Sequence, residues 1–180
     1  WKIGDLLLQH LDEFAELEAL DNGKPVGVAR AADVPLAADL FHYMAGWATK
    51  LEGSTIPLSV PYTPGQSYHA YTRREPIGVV GAIIPWNSPL GLIPHKIGPA
   101  MLAGCTVVLK LSPEAPGEGY LVAEAAEQIG LPPGVLNVVT ADREVSELLV
   151  RDPRIDKITF TGSTAAGRKI TLQELRRGPR

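Results

Sequence analysis

The 180-residue chain lacks the features of a secreted, membrane or nucleic-acid-binding protein. It has one cysteine, Cys105, so it cannot form an internal disulfide. Its longest apolar run, residues 77–84, is far shorter than the ~20 residues of a membrane-spanning helix, and no charged-then-apolar leader opens the sequence. Seventeen basic and 20 acidic residues give a net charge of −3, so no broad positive field attracts nucleic acid. These absences predict a cytoplasmic protein without a membrane or nucleic-acid partner.

The amino-terminal part of the sequence predicts two helices and a hairpin. Apolar residues recur at helical spacing over the first twenty residues, and the turn DNGKP at residues 21–25 should end that helix. A second helix is expected to begin at an N-cap, Asp33. Its predicted apolar face consists of Leu36, Leu40, Phe41, Met44, Trp47 and Ala48. Turn-forming residues at 53–65, followed by an alternating stretch, predict a hairpin that leaves the main body.

From residue 77 onward, short β-branched runs alternate with helical stretches, a pattern typical of β-α-β units. The predicted strands are residues 78–84, 106–109, 135–139 and 157–160, and the predicted helices between them are 90–103, 119–129 and 144–151. Gly104 and Gly130 follow two of these helices, where a left-handed residue is favoured. The predicted fold class is therefore α/β, with a Rossmann-like doubly wound parallel sheet.

Ligands of such sheets bind at the carboxyl ends of the strands, so the turns that follow the strands are candidate sites. The first turn, IIPWNSPL, contains Trp86 and Asn87. One interpretation makes Asn87 a helix N-cap and Trp86 a core side chain. The other makes the Asn87 amide a donor to a developing oxyanion, which requires a free side chain.

The other three turns differ in how strongly they indicate a ligand. Lys110 and Glu114 in the second turn could donate to and accept from a ribose diol, or could be solvated charges without a role. The third turn, residues 140–147, has no glycine and gives no sign of anion binding. The fourth turn, FTGSTAAGRK at 160–169, brings glycine and hydroxyl groups to a helix N-terminus, which favours a phosphate.

The fourth turn matches neither common nucleotide-binding motif. Gly162 and Gly167 are separated by four residues with no glycine between them, unlike G-x-G-x-x-G. Gly167 is followed by Arg168, Lys169 and Ile170, so the lysine and the hydroxyl of a P-loop are not in place. A P-loop nucleotidase is therefore a poor match.

Four stretches taken together resemble the cofactor-binding half of the NAD(P)-dependent aldehyde dehydrogenases: IIPWNSPL, AGCTVVLKLSPEAP, GLPPGVLNVV and ITFTGSTAAGR. The resemblance extends to about Ile170. It implies oxidation of a small aldehyde to a carboxylic acid with NAD or NADP, NAD being favoured, in a homo-oligomer. It also implies a division into amino-terminal helices, an oligomerisation arm, a cofactor-binding core and an atypical tail, at residues 1–52, 53–76, 77–170 and 171–180.

The resemblance assigns roles to individual residues. Asn87 matches the amide of the oxyanion hole, and Lys110 matches a lysine that binds ribose. The implied cofactor-binding residues are Ile83, Ile84, Pro85, Trp86, Lys110, Ser112, Glu114, Phe160, Thr161, Gly162, Ser163 and Ala166. The acid that many members carry three residues after the lysine is replaced by Pro113, with Glu114 next to it, and a carboxylate here would repel a 2′-phosphate. Ala141 and Ser146 stand where the family commonly has glycines, which weakens the third turn as a cofactor contact.

The resemblance also separates this sequence from the catalytic groups of the family. The nucleophilic cysteine belongs to a catalytic domain that this sequence does not contain, so Cys105 is expected to be an inert core residue. Residues 171–175 resemble a strand of the family that bears the general base, but Arg176 and Arg177 stand where that strand has glycines. The role of general base is therefore not assigned to Glu174. The chain alone is therefore expected to be inactive. The alternative is a non-catalytic module for dinucleotide binding or assembly.

Overall fold

A computed structural model describes residues 1–59, 62 and 65–177 of the chain. Its amino-terminal helices are α1 (Lys2–Gln9), α2 (Leu11–Asn22), α3 (Val26–Val28) and, after a π-helical turn at Ala29–Asp33, α4 (Val34–Ala45). Helix α4 packs against α1 on one side and against a helix of the second half on the other. No helix in these described stretches is long and apolar enough to cross a bilayer.

The expected first helix is divided into α1 and α2 at His10. The backbone of His10 leaves the helical region, with φ −106° and ψ 30°. The bend allows both Leu7 and Phe14 to reach the core, although one straight helix was expected. Gly23 ends α2 in the left-handed conformation, with φ 78°, which confirms the stop predicted from the DNGKP turn.

Two expectations for the next helix were wrong. Asp33 is not an N-cap, because its backbone is already helical and its carboxylate pairs with Lys24 Nζ at 2.9 Å. Leu36 is 52% exposed and Trp47 is also exposed. The buried face of α4 consists of Val34, Ala37, Ala38 and Phe41, of which only Phe41 was predicted. Small alanine side chains allow close approach to the neighbouring helices. They were not predicted because alanine ranks below leucine and tryptophan in hydrophobicity.

The second half of the chain forms the predicted α/β sheet. The parallel strands are β3 (Val79–Ile83), β4 (Thr106–Leu111), β5 (Leu136–Thr140) and β6 (Lys157–Phe160). The helices are α5 (Pro89–Leu102), α6 (Gly117–Gln128), α7 (Arg143–Arg151) and α8 (Thr164–Arg177). Gly104 and Gly130 have φ of 82° and 76°, as expected after α5 and α6. The fold class is confirmed.

The strand order β5-β4-β3-β6 places β3 in the middle of the sheet. Along β3 the side chains alternate, as in any strand. Val80 and Ala82 join the main core under the amino-terminal helices, whereas Gly81 leaves room for Ile158 of β6 and for Ile155. From β3 the chain first adds strands on one side and then returns to add β6 on the other. The carboxyl ends of β3 and β6 therefore flank a topological switch point, where such sheets bind ligands.

The predicted hairpin is present but short. Strand β1 (Thr55–Ile56) pairs in antiparallel fashion with β2 (Ala70–Tyr71), and each strand has two residues. The strand expected over residues 67–76 is otherwise irregular, because no second layer covers its side chains and an isolated hairpin is only marginally stable. Residues 60, 61, 63 and 64 of the turn-rich stretch lie outside the described residues.

Residues 171–177 continue helix α8 instead of forming the strand that their sequence echoes. Leucine, glutamine, glutamate and arginine all favour a helix, and no turn residue interrupts them after Gly167. Thr171 Oγ1 donates to the Gly167 carbonyl at 3.0 Å, within the helix. The last three predicted tail residues, 178–180, lie outside the described residues.

Candidate functional site

Three predicted site residues lie side by side at the carboxyl edge of the sheet. Ile83 is in register with Lys110 of β4 on one side and with Phe160 of β6 on the other. Backbone hydrogen bonds hold this edge together, from Ile84 N–H to the Lys110 carbonyl at 3.2 Å and from Thr161 N–H to the Ile83 carbonyl at 3.1 Å. The order of the strands therefore brings together residues that are up to 77 positions apart.

A cavity of about 380 Å³ opens over this edge, between α7 and α8. The sequence-predicted residues that line it are Ile83, Lys110, Phe160, Ser163 and Ala166. Its apolar wall comes from the strand ends and from Val150 of α7. Its polar groups come from the end of β4, from α7, and from the turn and helix that follow β6, at the edge where a switch-point site is expected.

The first turn lies outside this cavity. Ile84 is buried in the core, Pro85 is half-buried, and Trp86 is 55% exposed, so the interpretation of Trp86 as a core side chain is wrong. Helix α5 begins at Pro89 with Ser88 as its N-cap, so Asn87 is not the cap. The exposed Asn87 amide has no hydrogen-bond partner within the described part of the chain. The Asn87 side chain is therefore free to donate to an oxyanion, as the second interpretation requires.

Lys110 is almost completely buried, with 8% of its surface exposed. Burial lowers the pKa of its ammonium group, and the nearby charges of Glu114 and Asp142 act in the opposite direction. Its ammonium group makes no ion pair among the described residues. A buried cation without a partner is costly, so this group favours a bound acceptor.

Glu114 is exposed next to Lys110, and its carboxylate is held by Ser112. The Ser112 hydroxyl donates a hydrogen bond to Glu114 Oε2. This bond is the main reason that the pKa of Glu114 lies below its usual value, and the charges of Lys110 and Arg143 act in the same direction. The second turn therefore presents a donor and an ionised acceptor together, as the sequence predicts, although the two do not form a direct ion pair.

The third turn contributes more to the cavity than its sequence indicates. Arg143 and Ser146 line the cavity, although the turn lacks glycine. Asp142 caps α7, its Oδ1 accepting from Val145 N–H at 2.9 Å, and the Ser146 hydroxyl donates to the Ala141 carbonyl at 3.3 Å. This turn received little weight from the sequence because it lacks glycine, whereas its position after β5 brings Arg143 and Ser146 to the edge where Lys110 lies. Its role in cofactor binding stays a prediction.

The fourth turn is closely packed against Phe160. A Cβ atom on Gly162 would lie 2.6 Å from the ring of Phe160, so only glycine fits there without a shift of the ring. Helix α8 begins at Thr164, and Ser163 Oγ accepts from Ala166 N–H at 3.3 Å. Lys169, which the sequence analysis did not assign to the site, also lines the cavity. The first turn of a helix presents free N–H groups that suit an anion.

Metal ligands and a thiol were also sought at this edge of the sheet. Among the described residues, no group of three or more histidine, cysteine or acidic side chains could hold a metal ion. Cys105 is 5% exposed and belongs to the hydrophobic core at the start of β4, the end opposite to Lys110. Its predicted position in the core is confirmed.

Comparison with known proteins agrees with this geometry. The profile of the aldehyde dehydrogenase family matches residues 1–178. The chain is 49% identical over 170 residues to phenylacetaldehyde dehydrogenase of Pseudomonas fluorescens, which covers 94% of this chain and 34% of that protein. The NAD+ complex of an aldehyde dehydrogenase from Bacillus cereus superposes with a TM-score of 0.92 at 43% identity, over 97% of this chain and 35% of the other.

A second similar structure belongs to an NADP-dependent enzyme. An E. coli NADP-dependent enzyme superposes with a TM-score of 0.89 at 36% identity, over 97% of this chain and 35% of the other. In each comparison the chain spans about a third of the length of the protein that it matches.

Proposed function

The chain belongs to the aldehyde dehydrogenase family, and we propose that it forms the dinucleotide-binding part of an enzyme that oxidises an aldehyde to a carboxylic acid. The observation that carries this proposal is the cavity at the switch point, where Ile83, Lys110 and Phe160 lie in one row. The use of NAD(P) is a property of the family, and the match to an NAD+ complex supports it. The aldehyde is not specified by this part of the protein.

The residues of the cavity and of the two turns beside it fit a dinucleotide. The Gly162 turn and the N-terminus of α8 would hold the pyrophosphate, and Lys110 with Glu114 would hold a ribose. Ile83, Phe160 and Ala166 supply apolar surface along the cavity wall. When bound, the nicotinamide would accept a hydride from the aldehyde carbon. The role of this chain is to bind and orient that group.

We assign the oxyanion donor of the reaction to Asn87. Its amide is exposed at the end of the switch-point strand and has no partner within the described part of the chain, so it can donate to substrate without breaking a structural bond. Donors of this kind stabilise charge that develops on a carbonyl oxygen. Trp86 and Pro85, next to Asn87, would form part of the wall along the cofactor.

We further propose that residues 53–76 are an oligomerisation arm. The two short strands and the residues beside them expose four apolar side chains: Ile56, Leu58, Tyr68 and Tyr71. A second copy of the chain would cover them, which supports a homo-oligomer. Analytical ultracentrifugation of the chain and of Ile56→Asp tests this, because loss of an apolar contact should shift the variant toward monomer. The cytoplasmic location stays a prediction.

Titration of the purified chain with NAD and NADP tests the binding site directly. Lys110→Ala should weaken both ligands by about tenfold, since one charge-assisted hydrogen bond contributes roughly 1.5–3 kcal/mol. Lys2→Ala, which changes an exposed lysine on α1, is the control and should leave both affinities unchanged. Equal affinities in the wild-type chain and a well-folded Lys110→Ala would remove Lys110 from the site.

A further inference from the structure

The contact between helices α2 and α6 contains two buried carboxyl groups. Glu18 of α2 and Glu118 of α6 are both fully buried. Neither carboxyl oxygen of Glu118 has a hydrogen-bond partner among the described residues, and the same is true of Oε2 of Glu18. Buried polar atoms without a partner are costly, so this contact needs a donor that the neighbouring side chains do not provide.

The two acids lie where the first turn of α6 meets the end of α2. Asp21 Oδ2 accepts a hydrogen bond from the Gly117 N–H, and a Cβ atom on Gly117 would lie 2.9 Å from both Asp21 Oδ2 and the side chain of Leu17. Glu118 directly follows Gly117, and Glu18 directly follows Leu17. Burial raises the pKa of Glu118 to about 9, and the charge of Glu18 has the next largest effect.

Lys24 cannot neutralise both acids. Its Nζ donates to Glu18 Oε1 at 2.7 Å and pairs with Asp33 Oδ2 at 2.9 Å. If Glu118 and Asp21 were also ionised, four carboxylates would surround a single ammonium group. An uncompensated charge of this kind is unfavourable in a buried place, and protonation of one carboxylate relieves it.

Helices α1 and α5 and strand β5 also pack against α6, and β5 has no ionisable side chain. The ionisable side chains of α1, of α5 and of the rest of α6 are Lys2, Asp5, His95, Lys96, Tyr120, Glu124 and Glu127. All of them are exposed except Asp5, which pairs with His42, and Lys96, whose pKa is lowered by burial. None of them donates to the partnerless oxygens of the two buried acids.

We propose that Glu18 and Glu118 form an acid pair that shares one proton, and that this proton holds the first turn of α6 on α2. The O–H of one acid then donates to the free oxygen of the other, as in other pairs of carboxyl groups that cannot both ionise. Loss of the proton to a base in solution leaves two buried anions that repel each other across the contact. The first turn of α6 then separates from α2 without global unfolding. This inference does not depend on the proposed function.

Native-state hydrogen exchange, followed at single amides by NMR, tests the acid pair. The Gly117 N–H reports on the contact, and the Val107 N–H, bonded to the Val135 carbonyl at 2.8 Å within the sheet, reports on global unfolding. After division by the intrinsic exchange rate, the opening constant at Gly117 should rise up to about tenfold per pH unit between about pH 4.5 and 9, because only the open contact releases the proton. The opening constant at Val107 should stay lower throughout this range.

Three variants identify the groups responsible. Glu118→Gln places an amide donor beside Glu18 at every pH and should remove the pH dependence at Gly117. Glu18→Gln removes the repelling charge, so the rise should end at a lower pH than in the wild-type chain. Glu124→Gln, on the exposed face of the same helix, is the control and should behave as the wild-type chain does.

Several results would overturn the inference. One is exchange at Gly117 that is no faster than at Val107, because the contact would then open only on global unfolding. Another is a pH dependence that persists in Glu118→Gln with a native circular dichroism spectrum. A third is wild-type pH dependence in Glu18→Gln, since the two acids would then titrate independently. Closure of the contact by added KCl at high pH would show that a cation, and not a proton, neutralises the pair.

Discussion

Glu118 on α6 is fully buried, and neither of its carboxylate oxygens has a hydrogen-bond partner among the described residues. Its surroundings make ionisation harder still. Burial raises the pKa of Glu118 to about 9, and the charges of Glu18, Asp21 and Asp33 act in the same direction, against Lys24. A carboxyl group in such a place is neutral at pH 7 in the folded protein. Glu118 is not part of the proposed dinucleotide site, so its burial reduces stability without serving that site.

The protonation of Glu118 predicts that stability falls as pH rises. Below about pH 4.5 the group is protonated in both states and has no effect, whereas between about 4.5 and 9 only the unfolded chain releases the proton. The free energy of unfolding should therefore decrease over this range. Glu118→Gln should become more stable relative to the wild-type chain as pH rises, by up to roughly 4 kcal/mol from pH 5 to pH 8, since each pH unit contributes about 1.36 kcal/mol. Urea unfolding at both pH values measures the difference.

The matched control is Glu124→Gln, on the exposed face of the same helix. It should change stability by less than about 0.5 kcal/mol at either pH. A gain from Glu118→Gln that is the same at pH 5 and pH 8 would show that the carboxyl group does not titrate as its burial implies.

Asn87 allows a prediction about turnover at the same scale. In an active enzyme that contains this segment, Asn87→Ala should lower kcat by ~10²-fold or more and leave cofactor affinity nearly unchanged, as the loss of one oxyanion donor does. Steady-state kinetics and a cofactor titration measure the two quantities. A loss of thermal stability with normal kcat would instead show that Asn87 has a structural role.

At the scale of the elements, the helices lie at distances set by individual glycines. Gly119 of α6 faces Leu111 of β4, and an added Cβ would lie 2.3 Å from its Cδ1 atom. Leu111 is fully buried and cannot move aside. Gly91 in the first turn of α5 has no atom within 4 Å of such a Cβ. Replacement of glycine by alanine should therefore have opposite effects on stability at these two positions.

We expect Gly119→Ala to destabilise the protein by about 1–2 kcal/mol and Gly91→Ala to stabilise it by a few tenths. Alanine in place of glycine favours a helix by roughly 0.5–1 kcal/mol, but overpacking of a core costs about 1–3 kcal/mol, and only Gly119 is in a tight place. Thermal or urea unfolding of both variants gives the comparison. A stabilised Gly119→Ala would mean that the α6–β4 contact is looser than the structure shows.

The elements also show how far the sequence could predict the fold and the site. The strands β3 to β6 and their helices were predicted within two residues of their ends, because β-branched runs and the glycines at 104 and 130 mark them. Most of the buried face of α4 was not predicted, because its burial depends on small alanines that allow close packing. The helical tail was missed because a resemblance to a strand outweighed its helix-forming residues. Arg143 was missed because no motif marks it, and only the order of the strands brings it to Lys110.

At the scale of the whole molecule, the only thiol and the proposed cofactor site are at opposite ends of β4. Cys105 precedes this strand and Lys110 is close to its end. At ~3.3 Å per residue, the four residues from Cys105 to Leu109 span roughly 13 Å. A thiolate that forms a covalent intermediate must contact the substrate beside the nicotinamide. We therefore do not assign the nucleophile to Cys105.

We accordingly predict that the purified 180-residue chain produces no NADH or NADPH from aliphatic or aromatic aldehydes, as measured by absorbance at 340 nm. Cys105→Ser should leave dinucleotide affinity unchanged, since the side chain lies in the core away from the cavity. Turnover that is lost in Cys105→Ser would contradict both the role assigned to this thiol and its position in the fold.

The position of β3 between β4 and β6 also affects how the chain can fold. The Val79 N–H donates to Asp156 Oδ2 at 2.8 Å, so the central strand is bonded to a side chain 77 residues later. Contacts between such distant positions close large loops, and proteins that depend on them fold slowly. A nascent chain can pair β3 with β4 early, but one edge of β3 stays open until residues 157–160 have been synthesised. During that interval the most apolar strand of the sheet has an unpaired edge, which makes this part of translation the most exposed to aggregation.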